Sequence, residues 1–257
     1  MKTMKVLSVA ALALLMSVAS YAQTADEVIA KYLETTGGKA KWEALKSVKT
    51  TAKIKMQGME LPLVIAQKAP NKMMTVAEFQ GMKFYQGCFD GTTMWGTNQM
   101  TMKAEKSEAE ESENMKDQSE LLDPFINYAA RGYKVTLEGK ETIEGAECFK
   151  IKLTRKPVKV EGKEEENSSV YFFDTQNYVP IVVQTTIKKG PGKGMVSETL
   201  MSDYQEVNGL MFPFSMTQRA KGQKDGQNIV IEKVETNIDL DDAMFMMPAE
   251  KAPEVKK

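Results

Sequence analysis

Histidine is absent from the 257 residues. That absence excludes Ser-His-Asp and Cys-His nucleophiles, a histidine general base and His-ligated zinc or iron. Cysteine occurs twice, at Cys88 and Cys148, so no more than one internal bridge can form. An excess of charge is missing too: 34 Lys+Arg face 35 Asp+Glu, whereas a nucleic-acid binder shows a basic surplus. No Pro-, Gly- or Ser-rich linker divides the chain and no internal repeat is visible. What is present is an ordinary globular composition, 42% apolar and 27% charged, with an unusual 19 methionines.

The first residues read as an address. Lys2 and Lys5 precede an apolar run from Val6 to Val18, and Ser20-Tyr21-Ala22 places small residues where a signal peptidase cuts. The run is roughly 13 residues, shorter than the ~20 that span a bilayer. The expected product is a single domain over 23–257, exported to the periplasm, soluble and not itself lipidated. Its tail, 249–257, is polar and expected to fray. In that compartment disulfides are permitted. However, Cys88 shares a strand face with Met82 and Phe84, and Cys148 shares one with Lys150 and Lys152. One thiol is expected to point inward and the other outward, which argues against pairing.

Along the chain, Ala25–Thr36 has a helical apolar face (Val28, Ile29, Tyr32, Leu33), Thr24 as N-cap and Gly37-Gly38 as terminator. A second short helix is expected over Lys39–Ser47. The period then changes to two: Val48, Thr50, Ala52, Ile54 and Met56 alternate with Lys49, Thr51, Lys53 and Lys55. From there roughly eleven short strands follow, punctuated by turns such as Asp90-Gly91, as in an antiparallel barrel or curved sheet. The one interruption, Glu105–Ala130, reads as two helical halves broken at Asp123-Pro124. Its acidic first half reads as a solvated helix face. Its apolar second half suits a plug over an opening of the sheet.

Chemistry-bearing motifs are few. Gly190-Pro191-Gly192-Lys193-Gly194 lacks phosphate-loop spacing and a following helix, so it reads as a hairpin loop. The acid pairs Asp241-Asp242 and Glu164-Glu165-Glu166 fall in exposed segments. The methionine pairs Met73-Met74, Met100-Thr101-Met102 and Met244-Phe245-Met246-Met247 are scattered and lack the His or Cys neighbours of a Cu(I) site. No metal, cofactor or catalytic residue is expected. Methionine is unbranched and polarizable, so strands lined with it can re-pack around acyl chains of differing length. The expected cavity lining is Met56, Met59, Leu63, Met73, Met82, Phe84, Trp95, Phe125, Phe172, Phe212, Phe214 and Met216.

Several segments together resemble a known family. They are the Ala25-Asp26-Glu27-Val28-Ile29 helix running to Thr36-Gly37-Gly38, Gln57-Gly58-Met59-Glu60-Leu61-Pro62, Phe89-Asp90-Gly91 before Trp95, and Phe173-Asp174 to Tyr178-Val179-Pro180. Asp203–Pro213 and Leu240–Phe245 complete the set. In order and spacing the chain resembles the LolA/LolB-like superfamily of periplasmic lipoprotein carriers, in particular outer-membrane lipoprotein-sorting proteins. The resemblance implies a mainly β fold with a few helices, an unclosed antiparallel β-barrel covered by those helices. It also implies a carrier that takes acyl chains of lipoproteins or lipids without cofactor or nucleotide. Its partners would be inner- or outer-membrane transfer proteins, and it would act as a monomer. A related branch implies a non-transporting lipid- or protein-binding sensor module. The better-known carrier holds its lid helix with an arginine on an early strand. Here the first strand offers Lys53 and Lys55 instead, and no residue role carries over.

Overall fold

The computed structural model describes residues 23–249 apart from Gln57. The expected signal peptide, 1–22, and the tail beyond 249 lie outside the described residues. Helix α1, Ala25–Thr35, starts at a capping box: the Thr24 hydroxyl accepts from the Glu27 amide at 3.2 Å, and the Glu27 carboxylate accepts from the Thr24 amide at 2.8 Å. Gly37, at φ +112°, ends it where a side chain would collide with the Gly209 backbone. Helix α2, Lys39–Glu43, is shorter than the expected Lys39–Ser47. The sheet claims the remainder: the Lys46 amide donates to Asn237 Oδ1 at 2.7 Å and the Ser47 hydroxyl to the Ile238 carbonyl at 2.5 Å.

The strands follow as β1 (Ser47–Met56), β2 (Met59–Lys68), β3 (Lys72–Phe79), β4 (Met82–Tyr85), β5 (Cys88–Phe89), β6 (Met94–Thr97) and β7 (Ala104–Lys106). Helix α3 spans Ala109–Gln118. Then come β8 (Lys134–Ile143), β9 (Ala146–Thr154), β10 (Val158–Val160), β11 (Lys163–Glu165), β12 (Ser168–Asp174), β13 (Pro180–Thr186), β14 (Val196–Val207), β15 (Leu210–Ala220) and β16 (Gln227–Thr236). A 3-10 turn, Asp242–Phe245, closes the described chain. Fourteen strands form one antiparallel sheet in the order β7-β6-β5-β3-β2-β1-β16-β15-β14-β13-β12-β9-β8, with β4 paired to β3. Its end strands do not pair with each other, so the sheet is not closed.

The strand count exceeds the expected eleven for local reasons. Met82–Phe89 is broken at Gln86-Gly87, with Gly87 at φ +57°. The β10–β11 hairpin is too short and charged to show alternation. It forms because α3 grips it: Asn114 exchanges two hydrogen bonds with the Lys159 backbone (2.7 and 2.8 Å), and the Glu110 carboxylate accepts from the Glu161 and Gly162 amides. The acidic run is thus in part a docking edge rather than a purely solvated face. The second half of the interruption is not helical. Residues 119–132 form turns, with Asn127 and Gly132 at positive φ.

Register assigns the two faces. Ile54, Ala52, Leu63 and Leu61 share a face with Ile229, Ile231 and Met216, and through Met201, Thr199, Val183 and Tyr171 with Ile151. We call it the inner face. One end holds a core of α1 (Val28, Ile29, Tyr32) with Phe149, Ile151, Leu153, Phe173 and Phe125. The other end holds Leu45, Val48, Ala52, Ile54, Leu63, Leu210, Ile229, Ile231 and Val234. The outer face carries two separate clusters. One gathers Ala66, Met74, Cys88 and Trp95 under Leu240 and Phe245 of the C-terminal segment. The other gathers Cys148, Phe172 and Val182.

The cysteine expectations need correction. The Gly87 break reverses Cys88, which lies on the opposite face from Phe84, and both thiols are fully buried on the outer face. Cys148 does share its face with Lys150 and Lys152, but Phe172, Ile143 and Ala146 cover it. The thiols are free and sit on β5 and β9, with eight strands between them. Burial raises each to about 11. Neither thiol is therefore expected to react with iodoacetamide in the native chain near pH 8, whereas both should in denaturant. A mass adding one or two labels without denaturant would contradict this placement.

The C-terminal segment is tied down by charge as well as packing. Lys68 and Lys72 each donate to the Asp242 carboxylate at 2.8 Å, and Lys68 also donates to the Leu240 carbonyl. These hydrogen bonds pull the Asp242 carboxyl from 3.8 to about 2. A depressed acid contributes stability above its unfolded value and loses it as pH falls through the folded one. The segment is expected to loosen between about pH 4 and pH 2, and Asp242→Asn should remove that step. Limited proteolysis across this window checks it: cleavage beyond Thr236 that does not change between pH 4 and 2 would count against the tether.

Candidate functional site on the inner face

The inner face is where most predicted lining residues converge. Leu63 is buried at its centre, and Phe212, Phe214 and Met216 pack half-exposed against the same cluster. Trp42 of α2 lies 5.5 Å from the Phe212 ring. Met73 and Phe84 share this side of β3 and β4 by register. Met56 ends β1 opposite Met59, and its backbone position agrees with the same face. Met59 and Met82 are 45% and 50% exposed, so they form the rim of the face rather than its floor. Phe125, 2% exposed, packs edge-on to Tyr32, Tyr171 and Phe173 and closes the far end.

Two expected residues are elsewhere. Trp95 lies on the outer face, its indole N–H donating to the Phe245 carbonyl at 2.8 Å and its ring 4.8 Å from Tyr85. Phe172 faces outward between the inward Tyr171 and Phe173, against Cys148 and Val182. The reason is the same for both. A strand buried on both faces reads as a continuous apolar run, so parity alone cannot say which apolar residue faces the helices. Met73 and Met74 likewise point to opposite faces and cannot act as a pair.

Between α1, α2 and strands β12–β15 the inner face leaves a cavity of about 340 Å³, within the range of small-ligand sites. Trp42, Phe125, Tyr171, Met201 and Phe212 line it, with Thr36, Asp123, Thr199 and Tyr204 among its polar residues. The Tyr32 hydroxyl donates to Asp123 Oδ2 at 2.6 Å and the Phe125 amide to Oδ1 at 2.9 Å. Burial pushes the Asp123 carboxyl above its ordinary value, against the opposing pull of these hydrogen bonds and of Arg131 and Arg155. The Tyr32 hydroxyl is pushed well up by burial and by the facing carboxylate.

Arg131 is the site residue that sequence reasoning missed. Its guanidinium donates to the Asp123 and Ile126 carbonyls (3.1 and 3.4 Å), pairs with Glu120 and lies 4.6 Å from the centre of the Tyr133 ring. It thereby holds the 119–132 segment, with Leu121, Phe125 and Ile126, against the inner face. The available signal was scarcity: few arginines occur in a lysine-rich chain, and this one follows the apolar segment directly. A second cavity, about 460 Å³, lies on the outer face under Met244 and Met246. Among the described residues no group of three or more acidic or Cys side chains could hold a metal, and no helix is long and apolar enough to cross a membrane.

This architecture is shared with solved structures. A DUF1329 family protein from Desulfovibrio piger superposes with a TM-score of 0.53 at 13% identity, covering 86% of this chain and 97% of that one. A protein described as an outer membrane lipoprotein-sorting protein domain, from Vibrio parahaemolyticus, gives 0.54 at 11% identity, with 86% and 97% covered. A LolA superfamily protein from Nitrosomonas europaea gives 0.50 at 12% identity, with 88% and 98% covered. The chain has the LolA-like fold. A family model described as "Uncharacterized protein" matches residues 125–249, and no curated protein matches in sequence. The LolA-like fold here is mainly β, with one open sheet against whose inner face residues of α1, α2 and the 119–132 turns pack.

Proposed function

We propose that this protein is a periplasmic carrier or chaperone that shelters the acyl chains of lipids or lipoproteins on the inner face of its sheet. It would act as one domain over 23–257 and move its cargo towards the outer membrane as a monomer, in concert with membrane transfer proteins. The observation that carries this reading is the incomplete burial of the inner face. Phe79, Phe84, Phe212, Phe214 and Met216 stay half-exposed beside fully packed neighbours, although burying them would stabilise a domain that merely had to fold. The LolA-like fold agrees with it. Transfer by apolar burial needs neither nucleotide nor cofactor. A lipid anchor contributes ~0.8 kcal/mol per buried CH₂, and a carrier must recover only part of that to release its load.

The test is direct. The chain from Gln23 onward, purified from an exporting host, should yield acyl compounds on organic extraction and mass spectrometry. Delipidated protein should take up a fluorescent fatty acid with saturation. Recovery of no acyl compound, together with no uptake, would remove the reading and leave a sensor or interaction module of the same fold. The exposed position of Met82 adds a further check: Met82→Asp should fold normally.

A further inference from the structure

The exposed apolar side chains of this protein are gathered at one end. Of the eight large hydrophobics exposed among the described residues, six are Met59, Met82, Met100, Met102, Ile187 and Met195. The antiparallel register runs β1, β3, β6, β9, β13 and β15 toward the same end of the sheet, so the connections that follow them all open there. All six residues lie on or beside four of those turns. Three turns repeat one device: Gly58-Met59, Gly81-Met82 and Gly194-Met195, with the glycines at φ +81°, +77° and +87°. A left-handed turn position calls for glycine. Nothing in turn chemistry calls for a methionine after it, and these three are each about half exposed.

Charge is distributed in the same way. The six connections (55–60, 78–83, 98–105, 155–167, 187–195 and 221–226) hold eleven lysines, one arginine and eight carboxylates, a net positive balance in a chain whose net charge is −1. Lys188, Lys189 and Lys193 pair at the surface with Glu165, with Glu108 and Glu111, and with Glu161. Exposed pairs of this kind are weak and exchange readily for other anions. A protein-binding surface is enriched in Trp, Tyr and Arg and depleted in Lys. These connections contain no Trp or Tyr and a single Arg, Arg155, and are rich in Lys. Flexible apolar tips among lysines suit the boundary of an anionic bilayer.

We propose that this end of the sheet docks on an anionic membrane surface, its methionine tips entering the headgroup boundary and its lysines meeting headgroup charge. Met59 and Met82 are also the rim of the inner face, so docking sets the mouth of that face against the lipid. The docking itself stands independently of what the inner face carries.

Co-sedimentation of the chain from Gln23 onward with vesicles tests this. Binding is expected to vesicles of equal parts phosphatidylglycerol and phosphatidylcholine, to weaken with salt, and to be much lower with phosphatidylcholine alone. Met100→Ser/Met102→Ser/Met195→Ser should weaken it by about tenfold, as should Lys188→Gln/Lys193→Gln/Lys224→Gln. Neither triple variant should change fatty-acid uptake from solution, because these residues sit in the turns and none borders the cavity between α1, α2 and β12–β15. Vesicle binding without any fatty-acid uptake would support docking while removing the carrier reading. Equal sedimentation with both vesicle types, or an unaffected methionine variant, would overturn the proposal. So would absent vesicle binding with loss of a cross-linked protein in the methionine variant, which would mark a protein interface.

Discussion

Trp95→Ala is expected to destabilise the fold by about 4 kcal/mol while leaving acyl-chain affinity unchanged. The indole is 1% exposed, packs against Tyr85 and is hydrogen-bonded to the Phe245 carbonyl. Its removal opens a large cavity beneath the C-terminal segment and strands a buried carbonyl. Were Trp95 part of the ligand lining, as its strand pattern alone suggests, the outcome would be reversed: weakened binding with modest loss of stability. Urea titration followed by fatty-acid titration under stabilising conditions separates the two. A midpoint that moves by less than about 1 kcal/mol equivalent, with affinity lost, would place the residue on the inner face after all.

Phe214→Asp is expected to produce the opposite pattern. Phe214 is half-exposed on the inner face beside Phe212 and Met216, so its carboxylate would remain partly solvated and cost the fold about 1 to 2 kcal/mol. An acyl chain laid along this face would lose the apolar contact of one ring, about 1.5 to 3 kcal/mol, or roughly tenfold to a hundredfold in affinity. Phe214→Met should restore most of the binding, because methionine offers similar contact and adapts its shape. Unchanged fatty-acid affinity in Phe214→Asp, with folding confirmed by circular dichroism, would show that cargo does not use this face.

The segments that carry the family resemblance acquire a physical meaning in the structure: several are points of contact between distant parts of the chain. Thr36-Gly37-Gly38 meets Asn208-Gly209-Leu210, the Met211 amide donating to the Thr36 carbonyl at 3.1 Å and Lys41 to the Gly209 carbonyl at 3.2 Å. Leu240–Phe245 meets Trp95 and the Lys68–Lys72 turn. Asp174 organises its own turn, accepting from the Gln176 and Asn177 amides. At the Thr36–Gly38 contact backbone lies against backbone, so a side chain at Gly37 would collide with the Gly209 carbonyl.

Much of the architecture was legible in local patterns. The period-2 alternation of Val48–Met56, the N-cap at Thr24 and the Gly turns each follow from interactions within a few residues, and each agrees with the structure. Such features depend on backbone geometry and on which side of one strand is apolar, and both are local. The apolar pattern also placed Leu63, Phe212, Phe214 and Met216 on one face of their strands, because there the other side faces water, although of the expected lining only Phe125 and Phe212 border the inner-face cavity. Tertiary structure alone decided the rest. Trp95, Phe172 and Cys88 sit on strands covered on both faces, so alternation carries no sign and only the tertiary packing shows which side is out, whereas Cys148 lies on the expected outward face but is buried there by Phe172, Ile143 and Ala146. The 119–132 segment is apolar enough for a helix but is held as turns by Arg131, whose partners are backbone carbonyls and Glu120. The gathering of exposed methionines at one end depends on strand direction across the whole sheet, a non-local property that residue order along the chain does not display.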